Sequence, residues 1–328
     1  MLTLCVPGLL GRAEPFAAMR GARALARDVT STATEPNGIA TALCIALSLP
    51  RATPLAPLCA LGADLSVDDR YTIAATPVTL IADRDVVVLA GTVDDLRADE
   101  ASILIDLLNR HFAGDDMTFD APRPATWYAL CGRNFSFVTS PIDAALRHPI
   151  DSILPSGPDG NLWQRWQVEM QMLLHEHAVN REREQRGLPL VSGIWLSGNG
   201  RLTDIARPPL DAVFASGDAS GDVARGLARR VGLLANALPP AFSSMLASGN
   251  VLAAMAPVSN DADIAHFDAD WLQPAVAALD SGALDALQLV TDGHGAAVAW
   301  RAKRPTGLMR IASRFRNTPL EIPVLEEE

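Results

Sequence analysis

The sequence has little of what marks several classes of protein. It contains four cysteines in 328 residues, and none of them forms a Cys-x-x-Cys pair. This argues against a zinc cluster and against a disulfide framework, and free thiols suit a reducing compartment. Basic residues are fewer than acidic ones, which gives a net charge of −11. A general nucleic-acid-binding protein needs a basic face to displace counterions, so a nucleic-acid partner is not expected.

Long hydrophobic runs are also absent. The stretch IATALCIALSL at 39–49 stops at Pro50 and is too short to span a bilayer, so it predicts a buried helix. The apolar start MLTLCVPGLL is interrupted by Pro7 and carries no basic segment, which predicts a first strand rather than a targeting signal. Hydrophobic residues make up 49% of the chain, a share typical of a globular core. We therefore predict a soluble, cytoplasmic protein without a membrane partner.

The pattern of the first half changes near Arg70. TIAATPVTLIADRDVVVL alternates apolar and polar residues on both sides of a polar turn, which predicts a β-hairpin. ADEASILIDLLNRHF follows with helical spacing and an acidic start, and ATWYALC predicts a return strand. Together these segments indicate a small β-β-α-β domain of the α+β class, with its linker, at 66–149.

The rest of the chain alternates between helical and strand-like segments. A long helix is predicted from about Leu162 to Gly187, and it is followed by the strand LVSGIWL, the helix DVARGLARRVGLL and the strand SGNVLAAMAPV. LQPAVAALDSGALDAL predicts a further helix and LQLVTDGHG a buried strand. Such alternation is typical of a doubly wound, mostly parallel α/β sheet. We predict a discontinuous α/β core made of 1–65 and 150–328, into which 66–149 is inserted.

The predicted long helix contains HEHAVNRERE, in which His175 and His177 suggest a metal site. Residues two apart on a helix point about 200° apart, so the two histidines cannot easily share one ion, and a structural histidine is the better interpretation. The apolar stripe of the helix continues as His177, Asn180, Arg181 and Glu184. Either this end of the helix is solvated, or it faces a polar cleft.

A polar cleft would have its second wall in the loop SGNGR at 197–201. This loop follows the strand LVSGIWL at its carboxyl end, where open α/β sheets place ligands. Histidine, asparagine and arginine side chains that converge there would suit an anion. The candidates for anion binding are His177, Asn180, Arg181, Arg183, Asn199 and Arg201.

The segment HAVNREREQRGLPLVSGIWLSGNGR at 177–201 resembles a block of the cofactor-independent phosphoglycerate mutases of the archaeal type, members of the alkaline phosphatase superfamily. In that family the block reads His-Pro-Val-Asn-x-x-Arg…Gly…Asn-x-Ile-Trp-Leu-Trp-Gly-x-Gly, from which Ala178 and Ser197 depart. LGADLSVDDRYTIAATPVTLIADRD and ASILIDLLNRHF resemble the entry to the family's inserted domain and its helix, and LQLVTDGHG resembles the strand of its Thr-x-Asp-His metal motif. The sequence is also similar to bacterial proteins labelled RpfE-type regulatory proteins. The resemblance implies an alkaline phosphatase-like core.

Other positions depart from the enzymes of that family. Their first strand ends in an Asp-Gly whose aspartate binds metal, whereas this one ends in Val6-Pro7-Gly8, and no segment within 30–60 matches their serine nucleophile motif. AHFDAD stands where they have Asp-Glu-x-x-His. The candidates that remain for metal binding are His266, Asp268, Asp292 and His294, of which the last two could equally be a turn aspartate and a surface histidine. A two-metal phosphoryl-transfer site needs more ligands than these in one cage, and a nucleophile.

The sequence therefore favours a degenerate phosphoglycerate mutase-like protein that is non-catalytic and has a binding or regulatory role. We expect no cofactor, and a partner that is a phosphorylated small molecule or a protein. The alternative is an active phosphoryl-transfer enzyme, a mutase or a phosphatase, with relocated ligands and bound manganese or zinc. A third class, a structural partner protein, would be marked by an exposed apolar patch.

Overall fold

The chain folds into two units that each combine helices and strands. The computed structural model describes residues 1–83, 86–146, 148–150, 153–245, 249–293, 296–304 and 320. Unit 1 is formed by Met1–Thr53 and Arg207–Glu328, and unit 2 by Pro54–Ala206. Unit 1 is thus discontinuous in sequence, and the fold is of the mixed α/β class.

Most helices and strands of the described residues lie close to where the sequence predicts them. The strands are β1 (Leu2–Val6), β2 (Val29–Glu35), β3 (Tyr71–Asp83), β4 (Val86–Thr92), β5 (Met117–Arg123), β6 (Thr126–Cys131), β7 (Gly193–Gly200), β8 (Ala212–Ala215), β9 (Asn236–Ala237), β10 (Val251–Ala254), β11 (Ala286–Gly293) and β12 (Ala296–Lys303). The helices are α1 (Ala13–Ala18), α2 (Arg20–Asp28), α3 (Gly38–Ala46), α4 (Leu55–Gly62), α5 (Ala98–His111), α6 (Ile142–Ala145), α7 (Gly160–His175), α8 (Ala178–Gln185), α9 (Asp222–Arg230), α10 (Asp261–Phe267) and α11 (Gln273–Ser281).

Unit 1 is built on a sheet of seven strands, counted within the described part of the chain, in the order β2-β12-β11-β1-β10-β8-β9. The strands from β11 to β9 in this order run parallel, whereas β12 pairs antiparallel with both β11 and β2. The prediction of a mostly parallel sheet is therefore only partly correct. Only two residues separate β11 from β12 in the sequence, and a connection of that length can join only antiparallel strands.

The core of unit 1 surrounds the central strand β1. All five residues of β1 are buried, because the strand is paired on both sides. Phe16 of α1 packs against Trp300 of β12 with ring centroids 6.1 Å apart. Phe267 and Trp271, which lie at the end of α10 and in the π-helical turn that follows it, belong to the same apolar core. Side chains from α1, from the end of α10 and from the turn after it thus cover the sheet.

Unit 2 contains a second sheet, which has five strands among the described residues. β7 runs antiparallel along one edge of the long strand β3, while β6 and β4 pair with the two ends of its other edge. β5 continues the sheet beyond β6. The structure places 150–206 in unit 2 and not in the core to which the sequence assigned it, because β7 pairs with β3. The boundaries accordingly fall at 53/54 and 206/207 instead of 65/66 and 149/150.

The core of unit 2 is rich in tryptophan. Trp163 and Trp166 of α7 and Trp195 of β7 are fully buried. Trp163 and Trp195 meet edge to face with ring centroids 5.3 Å apart, and Trp166 meets Phe135 in the same way at 5.0 Å. These contacts fix α7 on β7 and explain why both elements belong to the unit that contains the β3–β4 hairpin.

The residues that the structure describes include no helix with both the length and the apolar character needed to cross a bilayer. None of the four cysteines, all of which lie in the described part of the chain, forms a disulfide; Cys5, Cys44 and Cys131 are buried and Cys59 is half-buried.

Candidate functional site

Four parallel strands of unit 1 end at one edge of its sheet. β1, β8, β10 and β11 are parallel, and their registers pair Cys5 with Ala254, Ala254 with Ala215, and Val6 with Thr291. The four strands therefore end side by side at the same carboxyl edge. Open α/β sheets bind ligands at this edge, so it is the first place in unit 1 to look for a site.

The loops after β1 and β10 are held together by main-chain hydrogen bonds. The amide of Met255 donates to the carbonyl of Cys5 at 2.8 Å, and the amide of Val258 donates to the carbonyl of Pro7 at 2.9 Å. Gly8 has a φ of 89°, and a Cβ at this position would lie 2.8 Å from the carbonyl oxygen of Val258. Glycine is therefore required at position 8, since any side chain would both strain the backbone and displace the neighbouring loop.

Asp292, at the carboxyl end of β11, anchors the loop after β1. Its Oδ1 accepts a hydrogen bond from the amide of Gly8 at 2.7 Å. The preceding residue, Thr291, accepts through its Oγ1 from the amide of Leu9 at 3.2 Å. Burial raises the pKa of Asp292, and the hydrogen bond from Gly8 offsets only part of that rise. The neutral carboxyl is thus favoured here more than at an exposed site.

A cavity of about 290 Å³ opens at the same edge and is called the edge cavity below. Its floor consists of the buried side chains of Val6, Met255, Phe267 and Trp271. The remaining lining residues are less buried: Leu238, Pro239, Pro240, Ala256, Pro257, Val258, Asp263 and His266. Ten of these twelve side chains are apolar, so the cavity offers an apolar body with two ionisable groups.

Asp263 is the fixed charge of the edge cavity. Its Oδ2 accepts three hydrogen bonds, from the amide of Ser259 at 2.9 Å, from the Oγ of Ser259 at 2.8 Å and from the amide of Asn260 at 3.2 Å. These hydrogen bonds hold the pKa of Asp263 below its ordinary value, with the amide of Ser259 as the largest cause. Oδ1 accepts no hydrogen bond from the residues that the structure describes. The carboxylate is therefore ionised, oriented and open on one side.

His266, the other ionisable group of the cavity, is tied to its own helix. Its Nδ1 lies 2.7 Å from Oδ2 of Asp270, one turn further along the chain. The pair is exposed on the rim, and its two groups neutralise one another when the imidazole is protonated. Asp263 therefore dominates the charge of the lining.

The residues predicted as metal ligands have other roles in the structure. Asp268 is buried, and its oxygens accept from the amide of Gly21 at 2.9 Å and from Nε2 of Gln273 at 2.7 Å. His266 pairs with Asp270, as described above, and His294 lies outside the described residues. Within those residues no group of three or more His, Cys, Asp and Glu side chains is placed to hold a metal ion. The donor set does not fit the two-metal cage that the resemblance implies.

Asn180, a predicted anion-binding residue, is buried, and both polar atoms of its side chain are hydrogen-bonded within the protein. Its Nδ2 donates to the carbonyls of Leu174 and Val191, both at 2.8 Å, and its Oδ1 accepts from the amide of Val191 at 2.9 Å. The side chain thus joins the end of α7 to the segment that leads into β7. Its hydrogen-bonding groups are used by the fold and are turned away from solvent.

Arg183 is also enclosed by the protein. Its side chain is fully buried, donates to the carbonyl of Pro189 at 2.8 Å and pairs with Glu100 at 2.9 Å and with Asp95. Glu100 stands in the first turn of α5, so the ion pair connects α8 to the start of α5. The arginine neutralises the buried carboxylate of Glu100 and the more exposed one of Asp95, and it presents nothing to an external anion.

The structure separates the two halves of the predicted anion site. Asn180 holds Val191, just before β7, whereas Asn199 and Arg201 lie at the other end of that strand. β7 has eight residues, so its first and last residues are roughly 23 Å apart at the usual rise of a strand. Asn199 hydrogen-bonds Tyr71 and Phe137, and Arg201 hydrogen-bonds Asn134 and Gly132. The six residues therefore do not converge.

The predicted anion site assumed one continuous helix over 162–187, whereas the structure has two helices, α7 and α8, in this region. The helix breaks after His175, and His177 has extended φ and ψ and caps α8 by accepting from the amide of Val179 at 3.3 Å. The break rotates the second helix, so that Asn180 and Arg183 face the core while Arg181 is exposed. Burial lowers the pKa of His177, and the charge of Arg181 lowers it further. An imidazole kept neutral in this way can accept the capping hydrogen bond.

The edge cavity was not predicted from the sequence. Its lining comes from four separated segments, the end of β1, 238–240, 255–258 and 263–271. The one local signal is the capping sequence Ser259-Asn260-x-x-Asp263, which marks the start of α10 and fixes Asp263. Only the parallel pairing of β1 with β10 brings that start to the cavity.

Solved structures of other proteins resemble this chain, among them the two that follow. The chain is similar to the PH0037 protein from Pyrococcus horikoshii, with 13% identity, a TM-score of 0.52, and coverage of 92% of this chain and 87% of that one. It is also similar to a cofactor-independent phosphoglycerate mutase from Thermoplasma acidophilum DSM 1728, with 14% identity, a TM-score of 0.41, and coverage of 93% and 90%. No protein-family model and no curated protein matches the chain. The likeness to the Pyrococcus protein shows a shared fold.

Proposed function

We propose that this chain is a phosphoglycerate mutase-like protein that does not catalyse phosphoryl transfer and acts by binding a ligand at the carboxyl edge of unit 1. In this proposal unit 1 is an alkaline phosphatase-like core, and unit 2 corresponds to the domain inserted in that core. The resemblance of 177–201 to the archaeal-type mutases supports it, since the block covers the helix-strand segment α8–β7. The role is a binding or regulatory one.

The observation that carries the proposal is the hydrogen bond from Gly8 to Asp292. In the resembled enzymes the first strand ends in a metal-binding aspartate followed by glycine, and the counterpart here is Pro7-Gly8. Asp292 is the candidate for the aspartate of the Thr-x-Asp-His motif, although Gly293 separates it from His294, and its Oδ1 accepts from the amide of Gly8 at 2.7 Å. A single carboxylate whose Oδ1 already accepts from the amide of Gly8 supplies fewer ligands than a two-metal cage needs.

The block at 177–201, which is the most specific part of the resemblance, has a structural role in unit 2. Asn180 and Arg183 match the family block, and both are buried and hydrogen-bonded within unit 2. Their presence supports descent from a common fold without requiring that the chemistry was kept. The binding role is favoured for the carboxyl edge because a cavity of ligand size opens there beside a fixed carboxylate.

An activity screen of the purified full chain tests this proposal. We expect no interconversion of 2- and 3-phosphoglycerate and no hydrolysis of p-nitrophenyl phosphate above the buffer rate, with Mn²⁺, Zn²⁺ or neither. The variant Asp292→Asn serves as control, because it retains the acceptor for Gly8 but cannot provide an anionic ligand. Metal-dependent turnover that is lost in Asp292→Asn would establish the alternative of an active enzyme with relocated ligands.

A further inference from the structure

We propose that the edge cavity binds a small apolar molecule that carries a protonated amine, with its hydrocarbon part on the floor of the cavity and its ammonium group on Oδ1 of Asp263. This inference rests on the proposed binding role and names the chemical class of the ligand. It assigns a role to Asp263, a residue that neither the predicted anion site nor the predicted metal site includes.

The size and the floor of the cavity select the apolar part of the ligand. A dry apolar cavity of about 150 Å³ accepts benzene, and the edge cavity, at about 290 Å³, has room for one or two rings. Phe267 and Trp271 offer aromatic surfaces, and Met255 adds a polarisable thioether, which favours contact with an aromatic ring. An aromatic body therefore fits the floor better than a polar one.

The walls of the cavity are stiff. Three of the lining residues are prolines, Pro239, Pro240 and Pro257, and the ring of proline fixes the backbone angle φ. The loop of Pro257 is tied on either side by the main-chain hydrogen bonds of Met255 and Val258. A preformed wall loses little freedom when a ligand binds, which favours affinity for a small molecule.

The charge of the cavity selects the polar part of the ligand. The described lining residues include no lysine and no arginine, so a phosphate or carboxylate group would meet no permanent cation there. It would instead meet the carboxylate of Asp263, in a protein whose net charge is −11. An ammonium group would instead be attracted by the carboxylate of Asp263 and by the negative net charge, and the aromatic floor adds an attraction for cations.

The geometry of Asp263 prepares it for this contact. Its Oδ2 is held by three hydrogen bonds from Ser259 and Asn260, which fix the carboxylate without using its Oδ1. A carboxylate oriented in this way forms a charge-assisted hydrogen bond to an ammonium donor at little cost in side-chain freedom. Asp263 would be a binding residue, and its capping of α10 would be retained in the complex.

Three probes of similar size test the proposal on the intact chain: phenethylamine, 2-phenylethanol and 3-phenylpropanoate, which are cationic, neutral and anionic. Binding is followed by the fluorescence of Trp271, excited where the probes do not absorb, and by calorimetry. We expect phenethylamine to bind at least about tenfold more tightly than 3-phenylpropanoate, with 2-phenylethanol between them. The fluorescence response should disappear in Trp271→Phe while calorimetric binding remains, which locates the site.

Two charge variants separate the role of Asp263 from general electrostatics. Asp263→Asn keeps an acceptor for the capping hydrogen bonds and should weaken phenethylamine binding by about tenfold, leaving 2-phenylethanol binding unchanged. Asp280 is an exposed carboxylate on α11 that does not line the cavity, so Asp280→Asn should change the binding of neither phenethylamine nor 2-phenylethanol. If Asp263→Asn fails to fold, the ranking of the three probes on the unmodified chain still decides the question.

The proposal is overturned if 3-phenylpropanoate binds as tightly as phenethylamine, if Asp263→Asn leaves phenethylamine binding unchanged, or if no probe binds at millimolar concentration. These outcomes contradict the ligand class alone. Failure of the proposed function would appear as metal-dependent turnover of phosphoglycerate or p-nitrophenyl phosphate, which the binding measurements do not detect. The two failures are therefore distinguishable.

Discussion

The guanidinium of Arg183 and the carboxylate of Glu100 lie 2.9 Å apart, and their side chains are 0% and 3% exposed. Taking two charges out of water is costly, and their mutual attraction compensates for this only when the geometry is good. Here the arginine also bonds Asp95 and the carbonyl of Pro189, and the glutamate also pairs with Arg186. The network joins the start of α5 to α8, and with it the part of the chain that carries the mutase-like block.

Removal of Arg183 should strongly destabilise unit 2. We expect Arg183→Met to lower the free energy of unfolding by about 3 kcal/mol or more, because it leaves buried carboxylate charge without its main partner. Arg186→Met is the matched control, since Arg186 is 43% exposed and should cost roughly 1 kcal/mol or less. Urea denaturation followed by tryptophan fluorescence measures both. Equal effects of the two variants would contradict a structural role for the buried pair.

Asn180 should be needed for the fold rather than for a ligand. Asn180→Ala deletes three hydrogen bonds and removes the partner of the buried amide and carbonyl of Val191, so we expect a loss of about 2–4 kcal/mol in the free energy of unfolding. The neighbouring Arg181→Ala, on the exposed side of α8, should change stability by at most about 0.5 kcal/mol. Denaturation curves of the two variants give the comparison. A stable Asn180→Ala variant would contradict this assignment.

Arg201 should contribute stability without contributing a phosphate site. Its side chain bonds Asn134 and the carbonyl of Gly132, so Arg201→Ala should cost about 1–2 kcal/mol and lower the melting temperature. Phosphate should stabilise neither the unmodified chain nor the variant beyond a chloride control of equal ionic strength. Phosphate-specific stabilisation that Arg201→Ala abolishes would instead restore an anion site at this end of β7.

Asp292 should make stability depend on pH in a defined direction. Burial raises its pKa in the folded protein above the ordinary 3.8, so the folded state keeps the proton to higher pH than the unfolded state does. The associated stability is present below pH 3.8 and is lost as the pH rises through the folded pKa. The amide side chain of the variant Asp292→Asn does not titrate and keeps the acceptor for Gly8. The stability of Asp292→Asn relative to the unmodified chain should therefore increase with pH above 3.8 and then level off; a difference independent of pH would contradict the assigned shift.

Local patterns in the sequence predicted several elements well. β1, the β3–β4 hairpin and α5 lie where alternation, helical spacing and an acidic helix start indicate them. These signals come from neighbouring residues, which is why they can be read without the fold. The predicted helix from 162 to 187 failed at His177, because one extended residue ends one helix and caps the next, and the apolar spacing passes over it unchanged.

Long-range pairing could not be predicted in the same way. β7 has the apolar character of a core strand, and nothing within it indicates that its partner is β3, more than a hundred residues earlier. The boundary of unit 2 and the separation of Asn180 from Arg201 both follow from that pairing. The edge cavity depends on the parallel pairing of β1 with β10, which likewise joins the two ends of the chain.

Calorimetric titration of the metal-free full chain with Mn²⁺ and with Zn²⁺ tests the central claim most directly. Asp292 bonds Gly8, Asp268 bonds Gly21 and Gln273, and His266 pairs with Asp270, so these side chains should not assemble a metal cage. We expect no binding of one equivalent or more with a dissociation constant below about 10 µM, which corresponds to about −7 kcal/mol. Binding of one or two equivalents at micromolar affinity or tighter, abolished by Asp292→Asn, would contradict the account and indicate a functional phosphoryl-transfer centre.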